Sequence, residues 1–291
     1  MNRQTALRWS GYIAFAIAFA VACAFLSNWQ FTRNEQRSAA LELVAENYDA
    51  DPVPLAQLIP LDASFDEGDQ WRPVTLVGEY LPQQTLLARN RAHGGTSAFE
   101  VLVPFLTDDG RVFLVDRGWV PPGDDQPEPD EIPAPPAGDV TVVARLKPGE
   151  ALPSSGRSAP EGQVPTINLP LIAATIADGD DLITSAFGLM ISEDPAPATA
   201  PSALEAPSDD PGPHLSYAIQ WILFAVMGFV FIWYMIRTEI RHRREDAETG
   251  DVGEDAGGVA ASASPPRSVR AARRRDRDAD EEDALLDAAG R

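Results

Sequence analysis

The run His214–Arg244, HLSYAIQWILFAVMGFVFIWYMIRTEIRHRR, constrains the fold more than any other stretch. From Tyr217 to Ile236 it carries no formal charge, and Gln220 is its only strongly polar side chain. About 20 apolar residues wound as a helix span the hydrocarbon core of a bilayer. Pro211, Gly212 and Pro213 stop any upstream helix, so the span starts at His214. Arg237, Arg241, Arg243 and Arg244 follow at once, and such a basic cluster marks a cytoplasmic end. His214 then lies at the outer membrane surface, where an imidazole can ligate a metal. One helical face reads His214, Ala218, Trp221, Ala225, Gly228. Small residues at this spacing let another helix approach closely.

A second apolar run, Trp9–Leu26, follows a short basic start with Arg3 and Arg8. Alanine alternates with large residues along it, a pattern that alone suggests a strand. Its length and lack of charge favour a membrane helix, because an isolated strand cannot satisfy its backbone in lipid. On a helix, Ala14, Ala18 and Ala22 form a small-residue stripe for contact with the second span. A cleaved signal peptide and a lipoprotein signal ending at Cys23 are rival readings. The apolar run passes through Cys23, and Trp29 and Phe31 then form an interfacial belt, which favours an uncleaved anchor. The segments are thus a cytoplasmic start at 1–8, a first span at 9–31, an extracytoplasmic region at 32–213, a second span at 214–237 and a cytoplasmic tail at 238–291. Both termini face the cytoplasm of a cell membrane protein.

The middle region holds roughly thirty acidic and nine basic residues. Its remaining pattern is mainly strands: Arg72–Tyr80, Thr85–Asn90, Phe99–Leu106, Arg111–Val120, Val140–Leu146 and Leu182–Ser192. Asp109-Gly110 between two apolar runs predicts a hairpin. Ala39–Glu46 can extend the first helix, and Leu169–Ala177 can form a short one. Without regular helical crossovers, the fold class is a mainly antiparallel β (α+β) extracytoplasmic domain, a sheet or small barrel, between two transmembrane helices. Residues 121–136 and 193–213 are Pro-rich, the first an extended loop and the second a semi-rigid linker into the second span. Residues 245–291 hold almost nothing apolar and predict a disordered tail.

Net charge of −21 argues against nucleic-acid binding. The single cysteine excludes a Cys-cluster zinc site and an intramolecular disulfide. No phosphate loop, nucleophile elbow or metalloprotease motif is present, so no catalytic residue is assigned. Arg89-Asn90-Arg91-Ala92-His93-Gly94-Gly95 reads as a surface turn set by its glycines. Asp116-Arg117-Gly118-Trp119-Val120-Pro121 is more distinctive: Gly118 allows a bulge or a close backbone approach, and Arg117 can stack on Trp119 or pair with an acid.

These pieces together resemble the Surfeit (Surf-one) family of cytochrome c oxidase assembly proteins. Trp29-Gln30-Phe31-Thr32-Arg33 is similar to the family's signature after the first span. Leu86–Arg91 and Val101–Pro104 resemble its central strands, Val115–Pro121 its most recognisable block, and His214–Trp221 the opening of its second span. The order and the flanking spans match as well. The resemblance implies a non-enzymatic factor that handles haem a transiently and delivers it to the catalytic haem–copper subunit of the oxidase, within membrane lipid and alongside a larger respiratory supercomplex. It implies His214 as the haem iron ligand, with Tyr217 and Trp221 near the porphyrin. Trp29, Gln30, Arg33, Arg91, Arg117, Gly118 and Trp119 are then structural signature residues. Two other classes remain open: a structural subunit docked on a respiratory complex without haem, and a membrane-anchored sensor, which the lack of an output module in the tail disfavours.

Overall fold

The computed structural model describes residues 3–61, 64–156 and 158–251. Its contacts divide the chain into two units, Met1–Val230 and Phe231–Arg291. Two long helices bracket a sheet domain: α1 (Arg3–Asn47) and α4 (His214–Asp251). Both are long and apolar enough to cross a membrane. Between them come β1 (Val53–Pro54), α2 (Leu55–Leu58), β2 (Pro73–Tyr80), β3 (Leu86–His93), β4 (Thr96–Thr107), β5 (Val112–Val120), β6 (Val140–Pro148), β7 (Gln163–Val164), α3 (Leu169–Ala173) and β8 (Ala186–Asp194).

The strands pair in the order β1-β2-β6-β8-β5-β4-β3-β7, and an added β2–β4 pairing closes the ring β2-β6-β8-β5-β4. This is a five-stranded Greek-key barrel of the OB type. The meander is antiparallel as the turn signals predict, and Gly110 N–H closes the Asp109-Gly110 hairpin on Thr107 O at 2.9 Å. The antiparallel expectation needs one correction. β1–β2, β3–β7 and β5–β8 are parallel, so the sheet is mixed. The β5–β8 pair arises because β8 enters between β5 and β6, after the chain has already laid down β6. Closure itself depends on Gly78, where a Cβ would lie 2.0 Å from Leu106 O.

Alternation along the strands explains their near-continuous apolar runs. Val101, Val103 and Phe105 of β4 join Phe113 and Val115 of β5 in one core cluster. Leu102, Val112 and Leu114, on the opposite face, pack with Leu169 and Ile172 of α3 in a second. A strand covered on both faces has no polar positions to alternate with. Each fully buried Leu, Val or Phe among them contributes about 1.5–3 kcal/mol.

One large buried side chain in this apolar setting is charged. Arg117 is fully buried, with Nη2 donating to Glu193 Oε1 at 2.5 Å and Nε to Glu193 Oε2 at 3.2 Å. Nη1 donates to Pro133 O at 2.8 Å, and the guanidinium lies 5.4 Å from the Tyr80 ring centroid. The residue thus joins β5 to β8 and holds the Pro-rich loop 121–136 against the barrel.

α1 continues well beyond its apolar run, as Ala39–Glu46 predicts, and its end docks on the barrel. Asn47 Nδ2 donates to Gly68 O at 2.7 Å and Gln70 O at 2.9 Å. Arg145 covers the Tyr48 ring at 3.6 Å and donates to Tyr48 O. At the other terminus, α4 runs to Asp251, so residues 238–251, placed in a disordered tail by composition, are helical. Within the second unit Arg243 pairs with Glu239 at 2.8 Å, one turn apart. The rest of the predicted tail, 252–291, lies outside the described residues.

Removing one partner of the Arg117–Glu193 pair should leave a buried charge uncompensated. Arg117→Met is expected to cost about 3–5 kcal/mol in denaturant unfolding, and adding Glu193→Leu should recover most of the loss. A double variant as unstable as the single one would show that the lost stability has another source.

Candidate functional site

The two long helices meet along one seam. On α1 its buried or half-buried positions are Ala16, Ala20, Cys23, Ser27 and Gln30, spaced three or four apart. On α4 they are His214, Ala218, Trp221, Ala225 and Gly228, the face expected from the sequence. Ser27 Oγ donates to Ala218 O at 2.9 Å, and His214 Nδ1 lies 3.0 Å from Gln30 Oε1. Phe19 lies against Gly228, where a Cβ would be 3.4 Å from its ring. Contacts that descend α1 as they ascend α4 make the helices antiparallel.

The α1 stripe therefore differs from the expected one. Ala14, Ala18 and Ala22 are exposed. Alternating alanines offer two small-residue stripes on opposite sides of a helix, and composition cannot choose between them. Ser27 and Gln30 decide it, because they continue the stripe of Ala16 and Ala20 and find partners on α4. Cys23 is buried in this seam as a free thiol.

The segment entering α4 is pinned to α1 as well. Arg37 Nη2 donates to Ser208 O and Asp210 O, both at 2.7 Å, and Nε donates to Asp210 O at 2.9 Å. Gly212 N–H donates to Asp210 Oδ1 at 2.8 Å. His214 is thus reached from a short turn fixed on α1. Its Nε2 makes no hydrogen bond among the described residues, and the missing Cβ of Gly212 would stand 3.6 Å from it.

The other expected site residues divide into two groups. Trp221 shares the His214 face, half-buried, with its ring edge-on to Phe224 at 5.7 Å. Tyr217 is 47% exposed, one residue before the seam position Ala218. Trp29 is 49% exposed, and Arg33 sits 5.9 Å over its ring. Arg91, Arg117, Gly118 and Trp119 belong instead to the barrel. No group of three His, Cys, Asp or Glu side chains able to hold a metal occurs among the described residues.

The barrel group forms a polar latch. Arg91 Nε donates to Glu100 Oε2 at 2.5 Å and Nη2 to Glu150 Oε1 at 2.7 Å. His93 Nε2 donates to Glu100 Oε1 at 2.9 Å, and its ring stacks on Trp119 at 5.5 Å and 8°. The surface-turn reading of Arg89–His93 is corrected: these residues lie on β3, and only Gly94-Gly95 form the turn. Trp119 exchanges backbone hydrogen bonds with Ser202, both at 2.9 Å. Gly118 makes this possible, with φ +122° and space for no Cβ, which would lie 2.3 Å from Ser202 O. Burial alone would raise the Glu150 carboxyl, but hydrogen bonds from Arg91, Thr166 and the Ile167 amide hold it below its usual range.

Glu100, Glu150, Glu193 and Ser202 were not singled out from the sequence. Glu100 carried a readable signal, an acid interrupting the apolar run FEVLVPFL. Such an acid must find a partner when the strand is buried. Ser202 carried none, since its role is a backbone one.

With this geometry in place, comparison with known proteins decides the family. The SURF1 family model matches residues 17–226. The chain belongs to the SURF1 family. It is 38% identical over 255 residues to uncharacterised SURF1-like proteins of Mycobacterium bovis and Mycobacterium tuberculosis, covering 84% of this chain and 91% of theirs. It is 24% identical over 109 residues to the cytochrome oxidase assembly protein SHY1 of Saccharomyces cerevisiae, covering 37% of this chain and 28% of that one. The matched span of the family model runs from the first long helix through the barrel and into the head of the second.

Two variants test the latch. Gly118→Val should destabilise the barrel by at least ~2 kcal/mol and free the linker from Trp119, read as faster proteolysis near Ser202. Asp116 is fully buried, with Oδ1 accepting the Gly118 N–H at 3.0 Å and Oδ2 unpartnered among the described residues. Burial first, then the Glu100 charge, raises its carboxyl well above the ordinary range. A raised folded value gives stability that is complete below the unfolded value and is lost as pH rises through the folded one. Asp116→Asn should therefore gain thermal stability over the native protein progressively from about pH 4 upward. Parallel pH profiles for the two proteins would contradict this.

Proposed function

We propose that this protein is a membrane-bound assembly factor for cytochrome oxidase, not an enzyme, and that it holds haem a transiently at the head of its helix pair for delivery to the catalytic haem–copper subunit. Membership of the SURF1 family and the partial likeness to SHY1 support the oxidase as the partner. The observation that carries the haem reading is His214: one ring nitrogen is engaged by Gln30, and the other, beside Gly212, has no hydrogen-bond partner among the described residues. A single imidazole suits an axial haem ligand, whereas a structural zinc site needs about four ligands.

The residues present fit such a group. The free Nε2 would supply the ligand nitrogen, and Trp221 lies two turns further along the same face. Bound haem would contribute the iron centre that the oxidase needs. The protein's own part is to hold the imidazole, orient it, and keep the carrier at the membrane. In the topology we propose, α1 and the first part of α4 span the cell membrane with the barrel outside. The Arg237–Arg244 cluster supports a cytoplasmic side for both termini. Arg33 and Arg37 beyond the first span oppose that bias weakly, and the second span decides it.

Purification of the full chain from native membranes with active haem a synthesis tests this reading. The wild type should carry a haem spectrum and co-purify with oxidase subunits. His214→Ala should reduce bound haem at least about tenfold, with insertion intact and oxidase activity lowered. A wild type that co-purifies with the oxidase but never carries haem would replace this reading with a structural subunit.

A further inference from the structure

The contact between the two helices assigns a role to a residue that is not itself a ligand. In the His214–Gln30 pair, at 3.0 Å, an amide oxygen faces Nδ1. Such an oxygen only accepts, so this bond forms when Nδ1 carries the hydrogen, and in the neutral ring Nε2 then carries the lone pair. An unconstrained histidine favours the opposite tautomer, with hydrogen on Nε2 and no lone pair there. We propose that Gln30 is a positioning residue that holds His214 in the Nδ1–H tautomer and presents Nε2, over Gly212, as the nitrogen that coordinates a haem iron.

Three observations meet in this assignment. Gln30 is fixed by the helix seam, because Ser27, one turn before it, donates to Ala218 O at 2.9 Å. The backbone leading into His214 is fixed by Arg37, seven residues further along α1 on the same side, through Ser208 O and Asp210 O. Gly212 lies beside the same edge of the ring, where a Cβ would stand 3.4 Å from Cδ2 and 3.6 Å from Nε2, and Nε2 has no hydrogen bond among the described residues. Ser27, Gln30 and Arg37 thus hold, in turn, the first turn of α4, the imidazole, and the chain entering it. A hydrogen bond to the far nitrogen fixes the orientation of a metal-binding histidine and raises its basicity, and losing such a partner typically weakens metal binding by about 10–100-fold. The functional half of the proposal rests on His214 being the ligand, and the tautomer half does not.

The test uses the full chain in lipid nanodiscs, with ¹⁵N-labelled histidine, without haem and at mildly alkaline pH. His214→Ala identifies the His214 resonances. The wild type should show a protonated Nδ1 and an unprotonated Nε2. Gln30→Leu should shift His214 towards the Nε2–H form, and Gln30→Glu, whose carboxylate also only accepts, should keep the wild-type tautomer. Circular dichroism confirms that all variants keep their helices. Hemin titration then separates the two halves: Gln30→Leu should bind at least about tenfold more weakly, and Gln30→Glu should restore binding. Wild-type His214 found mainly as Nε2–H, or a Gln30→Leu spectrum identical to wild type, overturns the tautomer assignment. Hemin binding lost in His214→Ala but unchanged in Gln30→Leu overturns the positioning role and leaves His214 as ligand. Hemin binding unchanged in His214→Ala overturns the ligand reading, and the functional half of this proposal with it.

Discussion

The structure depends on a short set of hydrogen bonds between two helices that are otherwise apolar. In the proposed membrane setting, apolar side chains gain little by leaving lipid for each other, so association relies on close packing and on polar contacts. Ser27 to Ala218 O and Gln30 to His214 supply those contacts, and each is worth about 0.6–2 kcal/mol in such a setting. The small residues Ala16, Ala20, Ala218 and Gly228 bring the backbones near enough for the polar ones to meet. The same bonds that hold the pair together also set the geometry of the histidine. Helix packing and the orientation of His214 are therefore not separable at this point: a change that loosens the seam also releases the imidazole.

The barrel is tied to this pair at both of its ends. At the start, Asn47 and Tyr48 anchor the end of α1 to Gly68, Gln70 and Arg145. At the finish, the Pro-rich segment 193–213 is held at Ser202 by Trp119 and at Ser208 and Asp210 by Arg37. A segment read from composition as a semi-rigid linker is thus fastened at two places. Trp119 is the junction, with His93 stacked on its ring and Ser202 on its backbone. This explains why arginine, glycine and tryptophan stand together in the sequence. Arg117 turns inward to Glu193, Gly118 admits the approaching strand, and Trp119 receives it.

Much of this was legible in the residues. Two uncharged apolar runs gave the long helices, Asp109-Gly110 gave the β4–β5 turn, and a face with steps of four and three residues that carries Ala218, Ala225 and Gly228 gave the correct side of α4. Three features were not fully legible. The parallel β5–β8 pair depends on which strand the chain returns beside after residues 121–185, and no local pattern records that. The contact stripe on α1 was ambiguous, because alternating alanines make two equal faces. The latch around Glu100 was legible only as an acid in an apolar run, because its partners Arg91 and His93 lie on the neighbouring strand and Glu150, joined through Arg91, is distant in sequence. The expected pairing of His214 with aromatic neighbours also proved uneven. Trp221 shares its face and is half-buried, whereas Tyr217, next to the buried Ala218, is exposed.

The charge distribution completes the picture. The sheet domain is strongly acidic, yet its cations are drawn inward. Arg91 and Arg117 pair with buried glutamates, Arg111 reaches Asp109 and Ile59 O, and Arg145 and Lys147 lie over Tyr48 and Trp71. Arg37 is engaged by backbone carbonyls of the entering segment. Six basic side chains thus serve internal contacts and leave the outer surface to carboxylates. In the proposed membrane setting such a surface is repelled by anionic headgroups within about a Debye length, ~8–10 Å. The sixteen residues of α1 from Thr32 to Asn47 rise about 24 Å at 1.5 Å each. A rigid helical stalk and a repelling surface act in the same direction: both hold the barrel away from the bilayer. In that setting the head of the helix pair, with His214, lies at the boundary beneath the barrel.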